Sequence, residues 1–215
     1  MPRRKLLVPF VLAMAVLAGC IQPDSSDPVC GSILYEESFS GTGAGWTQAT
    51  YTNSRTWIED DQYRLEVLED WTYVYRWNEE EGPYSNFCYS ATAWDLPDEK
   101  SNGFGLVVRC ADADNLYLFQ IHAESGQVSM AKRVSGQASQ VVPWHDHDAV
   151  RGLGEPNQLQ VIADANRLQF YVNGELVIDV LDPSLSTGFI GVAGSSSDDG
   201  PTAHAFDDIV VREYK

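Results

Sequence analysis

Turn-forming clusters interrupt this chain every few residues, and that punctuation constrains the fold more than any other feature. Gly41-Thr42-Gly43, Asp60-Asp61, Glu81-Gly82-Pro83, Ser101-Asn102-Gly103, Asp112-Ala113-Asp114-Asn115, Ser125-Gly126 and Asn173-Gly174 separate short runs rich in β-branched and aromatic residues. The runs read as strands over 33–39, 55–58, 62–68, 72–77, 86–94, 104–110, 116–122, 127–133, 139–142, 157–163, 167–172, 175–180, 187–193 and 203–213. No segment carries the 3.6-residue periodicity of an amphipathic helix of useful length. Short strands at such regular spacing predict an all-β sandwich or barrel.

The firmest local prediction is a hairpin at Asn173-Gly174, between Arg167–Val172 and Glu175–Val180. A type I′ turn needs positive φ at both central residues, and Asn-Gly meets that with little strain.

The first twenty residues belong to a different regime. Arg3, Arg4 and Lys5 precede an apolar run from Leu6 to Leu17, which is too short to span a bilayer and has the order of parts of a secretory signal. Leu17-Ala18-Gly19-Cys20 resembles the bacterial lipobox. That resemblance implies cleavage before Cys20 and lipid attachment to it. Residues 1–19 are then a lipoprotein signal peptide, and 20–31 are the lipidated cysteine and a polar, Pro-containing tether. Residues 32–215 are one domain. The expected location is the cell envelope, anchored by lipid to a bacterial membrane. Ile21 in place of aspartate after the cysteine points to the outer membrane in a cell that has one.

Loss of residues 1–19 removes three basic side chains and no acid. The 196 remaining residues carry eleven basic against 31 acidic side chains, a net charge of −20. Such a surface repels phosphates, which argues against a nucleic-acid partner.

Of four cysteines, lipidation of Cys20 leaves Cys30, Cys88 and Cys110 in an oxidising compartment. If residues 86–94 and 104–110 form a hairpin in which Trp94 opposes Phe104, Cys88 opposes Cys110 at disulfide distance. That register predicts a Cys88–Cys110 bridge with Cys30 outside it. A slip of one residue would instead leave two buried thiols.

The block from Gly103 to Ile121, continued by Asn157–Ile162, Phe170–Glu175, Gly188–Val192 and Phe206–Val211, resembles concanavalin A-like lectin/glucanase domains. It is most similar to the branch near the 3-keto-disaccharide hydrolase and laminin-G-like domains of bacterial lipoproteins, over residues 33–215. The resemblance implies a two-sheet antiparallel jelly-roll sandwich, concanavalin A-like, with first and last strands close together and one concave sheet face. It also implies a structural calcium where those strands meet, at Glu37, carbonyls near Gly45, and Asp207. The other reading of these acids is a charged edge that opposes strand pairing.

Trp71, Tyr73, Tyr75 and Trp77 alternate with Thr72, Val74 and Arg76, so the rings share one strand face. They either stack on sugar rings or fill the core, and a mixed arrangement buries the inner rings and exposes Trp77. Within the resemblance Arg109 faces the groove; an ion pair is the alternative. Asp112, Asp114 and Asn115 offer ligand contacts or simple turn chemistry. His122 ends the neighbouring strand. Trp144-His145-Asp146-His147-Asp148 reads as a metal-binding run or a solvated loop, with Trp144 able to overhang the groove.

The glucanase run Glu-x-Asp-x-x-Glu is absent, as are a Gly-x-Ser-x-Gly elbow and a P-loop. The expectation is therefore a non-catalytic carbohydrate-binding module contacting glycan through Trp77, Arg109, Asp114, His122 and Trp144. The alternatives are a glycoside or keto-sugar hydrolase and a protein-interaction module without a small ligand.

Overall fold

The computed structural model describes residues 30–96, 100–198 and 200–215. The segments expected to be signal peptide, lipidated Cys20 and tether, up to residue 29, lie outside the described residues. Fifteen strands form in chain order: β1 Cys30–Glu37, β2 Ala49–Thr50, β3 Ser54–Glu59, β4 Gln62–Val67, β5 Tyr73–Trp77, β6 Phe87–Asp95, β7 Phe104–Asp112, β8 Asn115–His122, β9 Gln127–Val134, β10 Gln137–Asp146, β11 Asn157–Asp164, β12 Arg167–Val172, β13 Glu175–Leu181, β14 Phe189–Ser195 and β15 Thr202–Tyr214. β1 thus takes in Cys30 and Gly31, the last two residues read above as tether.

The strands make two antiparallel sheets. The nine-stranded sheet runs β13-β12-β11-β6-β15-β4-β3-β2, with β1 also paired to β15; the six-stranded sheet runs β10-β9-β8-β7-β14-β5. First and last strands pair along Tyr35–Val211 and Glu37–Ile209, as the resemblance implied. Alternation along each strand sends one set of apolar side chains between the sheets. Tyr63, Leu65, Tyr89, Phe104, Leu106, Phe119, Ile121, Phe170, Val192 and Phe206 are among those in the shared core. The Asn173-Gly174 turn forms as predicted, with φ of 51° and 84° at its two residues and Val172 opposite Glu175.

The second predicted hairpin does not form. β6 pairs with β11 and β15 in the larger sheet, whereas β7 pairs with β8 and β14 in the smaller one. Chain neighbours here cross between sheets, so the register that placed Cys88 against Cys110 has no counterpart. Cys88 instead bonds Cys30, with 5.9 Å between Cα atoms. This bridge ties β1 to β6, which flank β15 on opposite edges. Cys110 is a buried free thiol whose pKa burial pushes up to about 12. As a thiol it is a weak nucleophile at neutral pH.

Candidate functional site

The six-stranded sheet carries an apolar cluster on each face. Its inner face joins the main core, and its outer face carries a second cluster of Val107, Cys110, Leu116, Leu118 and Ala193, packed by Tyr75 and Trp77. A cleft of about 450 Å³ opens over this outer face. It is lined at once by Tyr73 and Tyr75 of β5 and by Ala138 and Gln140 of β10. These strands are the two edges of the sheet, roughly 24 Å apart were it flat, at about 4.8 Å per strand spacing. One cleft can touch both only because the sheet curls, so the outer face is the concave one.

The aromatic stripe lies on this face and not in the sandwich core. Val74, between the rings, points inward. Exposure declines along the stripe from Trp71 at 74% and Tyr73 at 50% to half-buried Tyr75 and Trp77. The order is opposite to the mixed arrangement considered from sequence, because the outer apolar cluster draws in Tyr75 and Trp77 while Trp71 precedes β5. Tyr73 and Tyr75 stack with centroids 6.4 Å apart. Burial raises the pKa of both hydroxyls, so they remain protonated donors at neutral pH.

A second cleft, of about 520 Å³, lies beyond the β5 edge and shares Tyr75 with the first. Its walls include Tyr51, Arg76, Trp77 and Glu79. The Arg76 guanidinium sits 4.9 Å from the Tyr51 ring centroid and donates to Ser54 Oγ at 2.9 Å. Trp77 Nε1 donates to Glu79 Oε1 at 3.0 Å, which fixes the indole in the wall of this second cleft.

The remaining predicted residues separate into three groups. His122 and Trp144 meet on the concave face, edge to face with centroids 6.3 Å apart. His122 Nδ1 lies 3.4 Å from Ser101 Oγ, which donates at 2.5 Å to Asp95 Oδ2. Asp95 Oδ1 is in turn 3.2 Å from His204 Nδ1, both residues being fully buried. A chain of polar groups thus runs from the concave face into the core. Burial lowers the His122 pKa, with Asp95 and Glu124 opposing the shift, and the imidazole is neutral at pH 7.

Asp114 sits at the far end of the face, paired with Arg133 at 3.2 Å, and its backbone N–H donates to Asp112 Oδ1. Asp112–Asn115 is accordingly an Asx-stabilised turn.

Arg109 is not on the face, which corrects the expectation. It adopts φ 49° at a bulge where the β7–β8 register breaks between Val108 and Asp112. The extra residue resets the alternation, and Cys110 takes the outward place beside Val107. The Arg109 side chain, fully buried, donates to the carbonyls of Leu185, Ser85 and Ala165 at 2.9, 2.9 and 2.7 Å. It holds three loops together, and among the described residues it has no carboxylate within ion-pair distance.

The Trp144–Asp148 run is the end of β10 and the turn after it. His145 Nδ1 donates to the Pro143 carbonyl, Gln127 donates to Asp146, and His147 Nδ1 accepts from Ala149 N–H. Among the described residues no three His, Cys, Asp or Glu side chains converge in a way that could hold a metal ion. Of the positions considered for calcium, Glu37 accepts from Phe39 N–H and Gly45 packs on Asn78. The Asp207 carboxyl is raised in pKa by burial and by the charges of Asp208, Asp61 and Glu37.

Sequence reasoning passed over Gln120 and Ser129. Register places both on the concave face, Gln120 opposite Gly105 on one side and Ser129 on the other. The alternation Leu116, Leu118, Gln120, His122 contained that signal, because it sets two polar residues in line with an apolar pair.

Residues 19–212 match the family described as the 3-keto-alpha-glucoside-1,2-lyase-like domain. A comparison of the sequence with curated proteins found no match. Among solved structures, carbohydrate-binding module CBM66 from Bacillus subtilis superposes with a TM-score of 0.64 at 20% identity, covering 79% of this chain and 96% of the module. The GH43 protein BlXynB from Bacillus licheniformis superposes at 0.61 and 15% identity over 83% of this chain; that match spans only 39% of its own length. A Bacillus subtilis protein of galectin-like fold superposes at 0.60 and 13% identity, covering 86% of this chain and 97% of that one. At these identities the likeness is one of fold, and the fold is a concanavalin A-like jelly-roll sandwich.

Proposed function

The chain belongs to the family of 3-keto-alpha-glucoside-1,2-lyase-like domains, and we propose that it binds a glycan along the concave face of its six-stranded sheet. The observation that carries this reading is the aromatic stripe. Trp71, Tyr73 and Tyr75 stand along one wall of a cleft whose floor is apolar. An aromatic face exposed above a groove suits the C–H face of a pyranose, while the tyrosine hydroxyls bond its edge. A CBM66 module and a GH43 protein share the fold, which agrees with a sugar-related role.

On this reading the domain is a non-catalytic binding module of the cell envelope, carried on lipidated Cys20 by the tether at 20–31 after removal of residues 1–19. The test is a printed glycan array with calcium and again with chelator. Wild-type protein should bind a coherent sugar class and release it unaltered, and Tyr73→Ala should lose that binding. A blank array in both conditions would move the reading to a protein-interaction module. Cys20→Ala should abolish partitioning into membranes; unchanged partitioning overturns the lipid anchor.

One observation favours a second reading, an enzyme acting on a glycosidic or keto-sugar bond. The neutral His122 on the concave face leads through Ser101 to the buried Asp95–His204 pair. Depletion of the bound glycan, with a pH profile that His122→Asn removes, would establish it.

A further inference from the structure

The end of the concave face nearest Trp144 contains two polar side chains that the protein itself does not satisfy. Gln120 is 2% exposed and Ser129 is fully buried, yet among the described residues Gln120 Nε2 and Ser129 Oγ have no hydrogen-bond partner. The other large buried amides are treated differently. Asn78 donates to Tyr35 Oη and the Ala44 carbonyl and accepts from two backbone N–H groups. Asn157 likewise donates to the Arg151 carbonyl and accepts from Arg151 N–H. Buried polar groups are paired in nearly all cases, so two orphans side by side call for an explanation.

Their placement supplies one. Gln120 and Ser129 are directly opposed on β8 and β9, and their neighbours Phe119, Ile121, Val128 and Met130 all turn into the core. The two polar groups therefore face the concave side. Above them lies Trp144, which comes from β10 yet reaches the entry of β7. A Cβ on Gly103 would stand 3.1 Å from Trp144 Cζ2 and 2.9 Å from Gln120 Nε2. Glycine at 103 is what lets the indole and the amide come together there.

We propose that Gln120 and Ser129, beneath Trp144, form a subsite that reads adjacent hydroxyls of a neutral sugar ring; this rests on the glycan reading above. The chemistry matches. A primary amide offers N–H donors, a serine hydroxyl both donates and accepts, and neighbouring sugar hydroxyls do both. Among the described residues no lysine or arginine bonds to either group to hold a carboxylate, and burial disfavours the charged form of His122 on the same face. The indole supplies the stacking surface and moves to admit the ring. The apolar cleft at Tyr73 and Tyr75 then takes the next residues of the same glycan.

The test uses the full chain with a printed array of neutral, amino and uronic glycans, followed by calorimetric titration with the best-bound neutral glycan. Gln120→Met and Ser129→Ala keep volume and remove the orphan group. Each should weaken binding tenfold or more while melting no lower than wild type, since the group removed was unsatisfied in the free protein. Unchanged affinity in both variants, while Tyr73→Ala loses binding, overturns the subsite and leaves the glycan reading standing. A fall of several degrees in melting temperature in either variant also overturns it, because the group was then structural. A wild-type preference for uronic glycans does the same. A blank wild-type array overturns the glycan reading, and the subsite with it.

Discussion

The floors of the two ends of the concave face are cut from the same two strands, β8 and β9, and differ in which residues those strands present. At one end Leu116, Leu118 and Ala131 line the sheet below Tyr73 and Tyr75. Two residues further along the same strands, Gln120 and Ser129 occupy the equivalent positions below Trp144. A step of two residues, about 7 Å, changes the floor from apolar to polar without altering the backbone. One end is built to bury carbon surface and the other to leave hydrogen-bonding capacity unused. On the proposed reading, specificity and stacking are separated along one groove.

The floor shared by both ends is the place to break this arrangement altogether. Gly105 opposes Gln120, and a Cβ there would stand 2.1 Å from the Phe119 carbonyl oxygen. The contact is with backbone, so no rotamer relieves it. Gly105→Val should destabilise the protein by about 3 kcal/mol or more and abolish glycan binding at both ends together. Thermal unfolding followed by circular dichroism checks this; wild-type stability would mean the strands can part without cost.

The next effect separates the ends. Tyr75→Ala removes a ring that lines both clefts and packs on the outer apolar cluster. Binding should weaken by at least a factor of ten, equivalent to ~1.4 kcal/mol, with some loss of stability. Gln120→Met is expected to show the same loss of binding without the loss of stability. Equal melting losses in the two variants would erase the distinction between the ends.

A pH titration sharpens the comparison more gently. Burial holds the His122 pKa below its ordinary value of 6.5. The neutral ring is thus favoured in the folded state, and that stabilisation is complete above the unfolded pKa and lost as pH falls through the lower folded one. Protonation also places a charge beside the polar end. Affinity for a neutral glycan should therefore fall as pH drops below the ordinary imidazole value and through the lowered one, and His122→Asn should flatten that limb. Binding by Tyr73 and Tyr75 carries no such dependence, as both hydroxyls stay protonated.

The smallest effect is a control away from the face. Asp207 has its carboxyl pKa raised by burial and by neighbouring carboxylates, so its ionisation disfavours the folded state at neutral pH. Asp207→Asn should raise the melting temperature by about a degree or two at pH 7. The gain should shrink as pH falls and the wild-type carboxyl becomes protonated. Glycan binding at either end should not change.

Much of this architecture was legible in the chain. Each of the fourteen runs read as strands has a counterpart among the strands observed, and only the two-residue β2 is additional. The reason is local: alternation and turn chemistry are encoded within a few residues. The sites were less legible. Arg109 stood correctly on its strand but pointed elsewhere, because one bulged residue reverses the faces beyond it and the sequence carries no separate mark for a bulge. Trp144 and His122 are far apart in sequence, and the pairing of β8, β9 and β10 brings them into contact.

By itself the sequence determined the strand inventory, the Asn173-Gly174 hairpin, the shared face of Tyr73, Tyr75 and Trp77, and the acidic balance of the surface. Those properties follow from residue type and short-range spacing. Tertiary structure alone decided that β6 and β7 lie in different sheets, that Cys88 joins Cys30, and that the aromatic stripe faces outward. It also decided that Gln120 Nε2 and Ser129 Oγ are buried without a hydrogen-bond partner among the described residues. Each of these depends on which distant strands are neighbours, and a period-two pattern is identical whichever face is turned to the core.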